Sequence, residues 1–156
     1  MAYKHGLRGK FYVSATLHQA GTSITWSEVD LTESIGMEDS RAVADVTNRR
    51  GEFTTHGVGK RTLSYTVACT YDPDDAAQAI LWTAYRNGTP IAVADMDGAI
   101  ATAGTKGVFA DMVVTSAPKP SDLAAFNSVE FTLQPAAVST YQPTFQTIAA
   151  PTTTTT

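Results

Sequence analysis

Cysteine is almost missing: Cys69 stands alone in 156 residues, so no disulfide can form within the chain. Basic residues are scarce as well. Lys and Arg total 11 against 15 Asp and Glu, giving a formal charge of −4 and a pI near 5.2. That balance excludes a general nucleic-acid binder, which needs a basic surface to neutralise phosphates. No apolar run approaches the roughly 18 residues of a membrane span, so no membrane segment is expected. The opening MAYKHGLRGKFYVSA is basic but has no apolar stretch behind it, which predicts no signal peptide. His5, His18 and His56 lack metal-ligand spacing and have no cysteine company, so no metal site and no cofactor is expected. The apolar fraction is nevertheless 43%, enough for a real core.

The most strongly patterned stretch runs from Thr62 to Asp95. Leu63, Tyr65, Val67 and Cys69 alternate with Thr62, Ser64, Thr66, Ala68 and Thr70, the period of a strand with one buried face. Cys69 belongs to the apolar set and reads as a small buried hydrophobe. Asp72 and Pro73 then supply a helix cap and a first-turn proline, and Asp74 and Asp75 place negative charge at the start of the helix dipole. Ala77, Ile80, Leu81, Ala84 and Tyr85 share one helical face, and Asn87-Gly88 is a stop. These signals predict one α-helix over about residues 73–87, too short to stand alone and therefore lying on a sheet. The stop also accounts for Asn87-Gly88-Thr89, which matches a glycosylation sequon. Pro90 leads into a further strand, Ile91 to Ala94.

Around this centre, Phe11–Leu17 and Ile24–Val29 are expected as strands, LTESIGMEDS (31–40) as a loop, and Arg41–Thr47 as a strand again. Asn48 to Arg61 has three glycines, four basic residues and no sustained apolar face. It reads as a long loop, and long loops in compact domains are usually functional or disordered. Met96–Thr105 is expected as a hairpin tip, with Val108–Thr115 and Val129–Gln134 as strands. From Pro135 the pattern dissolves into scattered apolar residues and five terminal threonines. The expectation is a mainly β fold, a β-sandwich or partly closed barrel with one flanking helix. Residues 1–135 would form the domain, with a 48–61 loop, and residues 136–156 an extended arm.

No catalytic constellation emerges. Gly57-Val58-Gly59-Lys60 lacks the upstream glycine, the Ser or Thr and the following helix of a phosphate loop. No G-x-S-x-G elbow is present. Asp72, Asp74 and Asp75 are explained by capping, while Asp95 and Asp97 flank a glycine turn too sparse in oxygens for calcium.

The series of pieces resembles long-tailed phage major tail tube proteins. Ala44-Asp45-Val46-Thr47 runs into a polar, Arg-rich loop, and Gly59-Lys60-Arg61 leads into the Leu63 strand. Tyr71-Asp72-Pro73 precedes a helix ending Asn87-Gly88-Thr89-Pro90, and Val113-Val114-Thr115-Ser116 and Val129 to Gln134 follow. The match covers roughly residues 41 to 135 and rests on order and spacing, since each piece alone is only a strand or turn signature. It implies hexameric rings whose inner strands join into one β-barrel. The rings would stack into a conduit for the genome, bridged by a long loop and terminal arms. It implies no active site and no cofactor. The implied place is the virion, after synthesis in the host cytoplasm, with tape-measure, tail-tip and tail-terminator proteins as partners.

With that resemblance in view, Arg49, Arg50, Phe53, Lys60 and Arg61 of the loop and the acids Glu28, Asp30 and Glu33 become candidate contacts of a head-to-tail interface. Tyr141, Phe145 and Ile148 are the candidate apolar anchors of the arm. DNA moving through a tube should not stick, so acidic or small polar side chains should face the lumen, with Asp45, Asp111 and Glu130 as candidates. The alternatives are a small-ligand-binding β-barrel, closed around a cavity within one subunit, and an enzyme without a recognisable motif. A tube or terminator subunit of a contractile tail or secretion system also remains open.

Overall fold

The computed structural model describes residues 9–19, 22–46, 51, 53–120, 127–137 and 140–149, and all structural statements concern these. In chain order the elements are β1 (Lys10–Ser14), β2 (Ser27–Glu28), β3 (Thr32–Asp45), β4 (His56–Thr70), α1 (Ala76–Asn87), β5 (Ile91–Met96), β6 (Lys106–Ser116), β7 (Ser128–Pro135) and β8 (Thr144–Thr147). The expected mainly β fold with one flanking helix is what forms. The strands make a single antiparallel sheet in the order β2-β1-β5-β6-β7-β4-β3, with β8 added to β6.

That sheet curls without closing. Three strands separate β1 from β4, so a flat sheet at about 4.8 Å per strand would hold them roughly 19 Å apart. Yet the rings of Phe11 and Tyr65 lie 5.7 Å apart, centroid to centroid. The concave face thereby wraps one core of Phe11, Val13, Leu63, Tyr65, Val67, Cys69, Val93, Met112, Phe131 and Leu133, among others. The helix closes its side with Ala77, Leu81 and Ala84. Burial pushes the Cys69 thiol up to about 11, leaving it protonated and inert at neutral pH.

The helix starts later than expected. Asp75, not Asp72, is its cap, accepting from the Ala77 amide at 2.9 Å. Asp72 instead takes the amide of Asp74 at 3.0 Å and makes the turn that precedes the helix. Gly88 ends it in the left-handed region at φ 64, its N–H donating to the Ala84 carbonyl. Gln78, unremarked in the pattern, is buried. Its amide donates to the Thr70 carbonyl at 2.8 Å and its oxygen accepts from the Asp72 amide at 3.1 Å, riveting β4 to α1.

β5 and β6 are apolar on both faces because both are covered. On the convex side, Tyr12, Ala94, Met96 and Phe109 form a second buried cluster under Trp26, Ile100, Tyr141 and Ile148. Part of the expected arm is therefore docked on the body: β8 pairs with β6 from Lys106↔Thr147 to Phe109↔Thr144.

The largest departure from expectation is at β3 and β4. Residues 31–40 and 56–61, read as loops, belong to one hairpin whose registers run from Thr32↔Cys69 to Asp45↔His56. Burial inside the chain stops at Leu63, and His56–Thr62 stand clear of the core. At about 3.3 Å per residue the hairpin projects roughly 20 Å beyond the body. No apolar alternation marks this part because, among the described residues, nothing buries either of its faces.

Candidate functional site

Three surfaces of the described chain have the character of contact surfaces. The first is the hairpin tip. A bulge between Arg41 and Val43 brings Val43 opposite Val58, and both are mostly exposed, at 64% and 66%. Val46 and Phe53 add to this exposed apolar tip, and Met37 is also half exposed nearer the body. Gly59 sits in the bulge, where a side chain would press on Ala42. The bulge adds twist and re-aims the side chains beyond it.

Just below the tip, Arg61 grips Asp39 across the hairpin through two bonds, Nε–Oδ1 at 2.6 Å and Nη2–Oδ2. This hydrogen bond holds the Asp39 carboxyl below its ordinary range and raises the guanidinium. Arg61 was expected to seek an acid on another copy, and its charge is met within its own hairpin. Glu28 is likewise taken by Lys10 at 2.6 Å. Glu33 accepts from the Thr70 hydroxyl at 2.9 Å. Asp30 lies in the turn before β3, and Lys60 is exposed in β4. Arg49 and Arg50 lie outside the described residues.

The second surface is the convex face of β3, β4 and β7. Positions alternate with the buried Leu63, Tyr65 and Val67, so Ser34, Gly36 and Glu38 lie beside Ala68, Thr66 and Ser64. On the other side of β4, Ser128, Glu130 and Thr132 lie beside Thr70, Ala68 and Thr66. These positions are small and polar, with the acids Glu38 and Glu130 exposed and Glu33 bonded to Thr70 at the margin. None of them is Lys or Arg. Of the candidate lumen acids, Glu130 is on this face and Asp45 is exposed at the far end of β3. Asp111 is elsewhere: it is 1% exposed and faces His18, because its position on β6 lies under the chain that follows β1. Glu38 was missed because 31–40 was read as a loop, which assigns no face.

The third is the edge of β3, the last strand of the sheet order. Fourteen residues long and paired, among the described strands, with β4 alone, it offers a backbone row for another strand. Of the arm anchors, Phe145 is 69% exposed, while Tyr141 and Ile148 pack on the second cluster of their own subunit.

Leu31 is the one described non-glycine residue at positive φ, 58, and it is more than half exposed. Asp95 is a further acid not singled out as functional. It points to the core side, and burial pushes its carboxyl up while a hydrogen bond from Tyr65 pulls it down.

No protein-family model matches the sequence, and no curated protein matches it either. Solved structures do. The chain is similar to the SPP1 tail tube at 15% identity and a TM-score of 0.74, covering 94% of this chain and 80% of that one. The tail of an empty gene transfer agent particle, refined with C6 symmetry, matches at 14% identity and a TM-score of 0.68, over 94% of this chain and 100% of that one. The sheath–tube complex of the PVC extracellular contractile injection system matches at 14% identity and 0.59, over 94% and 93%. The chain therefore has the fold found in phage-type tail tubes, over nearly its whole length, including the parts outside the stretch where sequence pattern alone carried the resemblance.

Proposed function

We propose that this chain is a structural subunit of a phage-type tail tube, which closes into hexameric rings that stack around a bore for genome delivery. The observation that carries this reading is the fold likeness to tail tubes across 94% of the chain. The surfaces agree with it. An open curled sheet with a long unpaired edge is completed when identical copies join edge to edge into a ring. A projecting hairpin with an apolar tip has little use on a solitary molecule but can reach a neighbouring copy.

The convex face of β3, β4 and β7 supplies the wall of the bore. Small polar side chains with Glu38 and Glu130 give DNA no cation to bind, so phosphates slide past without release of counterions. The subunit works without catalysis. Its partners are further copies of itself, together with the tape-measure, tail-tip and tail-terminator proteins, and its place is the virion, after synthesis in the host cytoplasm. Among the described residues no helix is long and apolar enough to cross a membrane. Negative-stain microscopy with sedimentation of the concentrated protein tests this. Sixfold rings or tubes are expected, and a monomer at every concentration would refute it.

A further inference from the structure

We infer that His18, Asp111 and Tyr141 form a latch that holds the C-terminal strand β8 on its own subunit. The strand has little else to hold it. All four side chains of Thr144–Thr147 are exposed, so β8 is attached by backbone pairing with β6, by the Gln146 amide donating to the Tyr141 hydroxyl at 2.9 Å, and by what flanks it. After it, Ile148 exchanges bonds with the 104–105 turn: its amide donates to Thr105 and its carbonyl accepts from Gly104, both at 2.8 Å.

Before it, Tyr141 lies flat on the His18 ring, centroids 4.2 Å apart and planes 10° from parallel. His18 is itself fixed from below. Its backbone N–H and its Nδ1 both reach Oδ1 of Asp111, at 3.1 and 2.6 Å, and the Asp111 side chain is fully buried. A buried carboxylate is tolerated only with donors around it, so the pair sets the position of the imidazole. Phe109 meets the same ring edge-on and Trp26 tilts against it, leaving one open face, which Tyr141 covers.

The consequence rests on the tail-tube reading above. While the latch is closed, the edge of β6 from Lys106 to Phe109 is occupied by the subunit's own β8. Opening it frees both that edge and β8 for a second copy, so the latch keeps an unassembled subunit from pairing prematurely. No chemistry is required, only loss of one stacked ring and a few strand bonds, and such peripheral elements open at far lower cost than the core.

Hydrogen exchange on the full-length chain reads the latch without reference to assembly. In His18→Ala, the Ile148 and Gly104 amides should exchange at least tenfold faster, while Val93, in the middle of β5, keeps the wild-type rate. Tyr141→Ala, which leaves the His18–Asp111 pair in place, should do the same, and it decides the matter if the first variant does not fold. Unchanged rates at Ile148 and Gly104 would overturn the proposal, as would equal acceleration at Val93. Microscopy of the same samples reads assembly separately: a latch seen by exchange in a protein that never forms rings would refute the tube while leaving the latch standing.

Discussion

The two ends of β4 obey opposite rules. From Leu63 to Cys69 every second side chain is buried in the subunit, against β7, β1 and the helix. From His56 to Thr62 the same strand continues in register with β3, yet none of the described residues buries either face. The first half is stabilised by apolar burial, at about 25 cal/mol per Å². In the second, the described residues show cross-strand hydrogen bonds, the Arg61–Asp39 pair and the Val43–Val58 pairing. A two-stranded ribbon of this kind is marginal by itself. The difference teaches that the body is complete in one chain and the hairpin is not, which is why we assign the hairpin to contacts between copies.

Mutations in the body should be costly and insensitive to assembly. Phe131→Ala removes a fully buried ring that also meets Trp82 edge-on at 5.3 Å. Urea denaturation should show a loss of about 4 kcal/mol. A loss near zero would mean that the concave core is not closed in the way described. Gly107→Ala should come next. A methyl group there would collide with the Asp95 carbonyl and the Met96 sulfur, where β6 passes β5. A cost of about 3 kcal/mol is expected from the same measurement, and the neighbouring Lys106→Ala serves as a mild control.

Asp95 gives a smaller, pH-dependent effect. Burial raises its carboxyl in the folded state above the unfolded value. Its contribution is therefore fully favourable below the unfolded pKa and is lost as pH rises through the folded one. Asp95→Asn should be more stable than wild type at neutral pH, with the gap closing on acidification, in denaturation midpoints measured from pH 3 to 7. A gap that widened in acid would reverse the sign assigned here.

How far these two halves could be read from residues alone follows from the same contrast. Period-two alternation records burial inside the chain. It marked Leu63–Cys69 and Val129–Leu133, while Pro90 marked the entry to Ile91–Ala94 and Gly88 the helix stop. The register of Ser34–Ser40 left no such trace, since a strand mostly exposed on both faces, with Ile35 partly buried against the core, has the composition of a loop, and Gly36, Gly57 and Gly59 strengthened that impression. Glu38 was lost with it. The capping carboxylate was displaced by three residues because all three aspartates, Asp72, Asp74 and Asp75, satisfy the rule. Asp111 looked like a wall residue because alternation shows which side a residue is on, but not what covers that side. The three residues of the latch lie 30 to 123 positions apart in sequence, at 18, 111 and 141, and only the fold brings them together.

The tip offers the most direct test. Val58→Asp places a charge on a side chain that is 66% exposed and remote from the core, so the unfolding free energy from urea denaturation should change by about 0.5 kcal/mol or less. Wild type and variant, compared by electron microscopy at equal high concentration, should then part completely: rings or tubes from the first, and folded, solitary particles from the second. Tubes of normal length from the charged variant would contradict the claim that this hairpin joins one copy to the next.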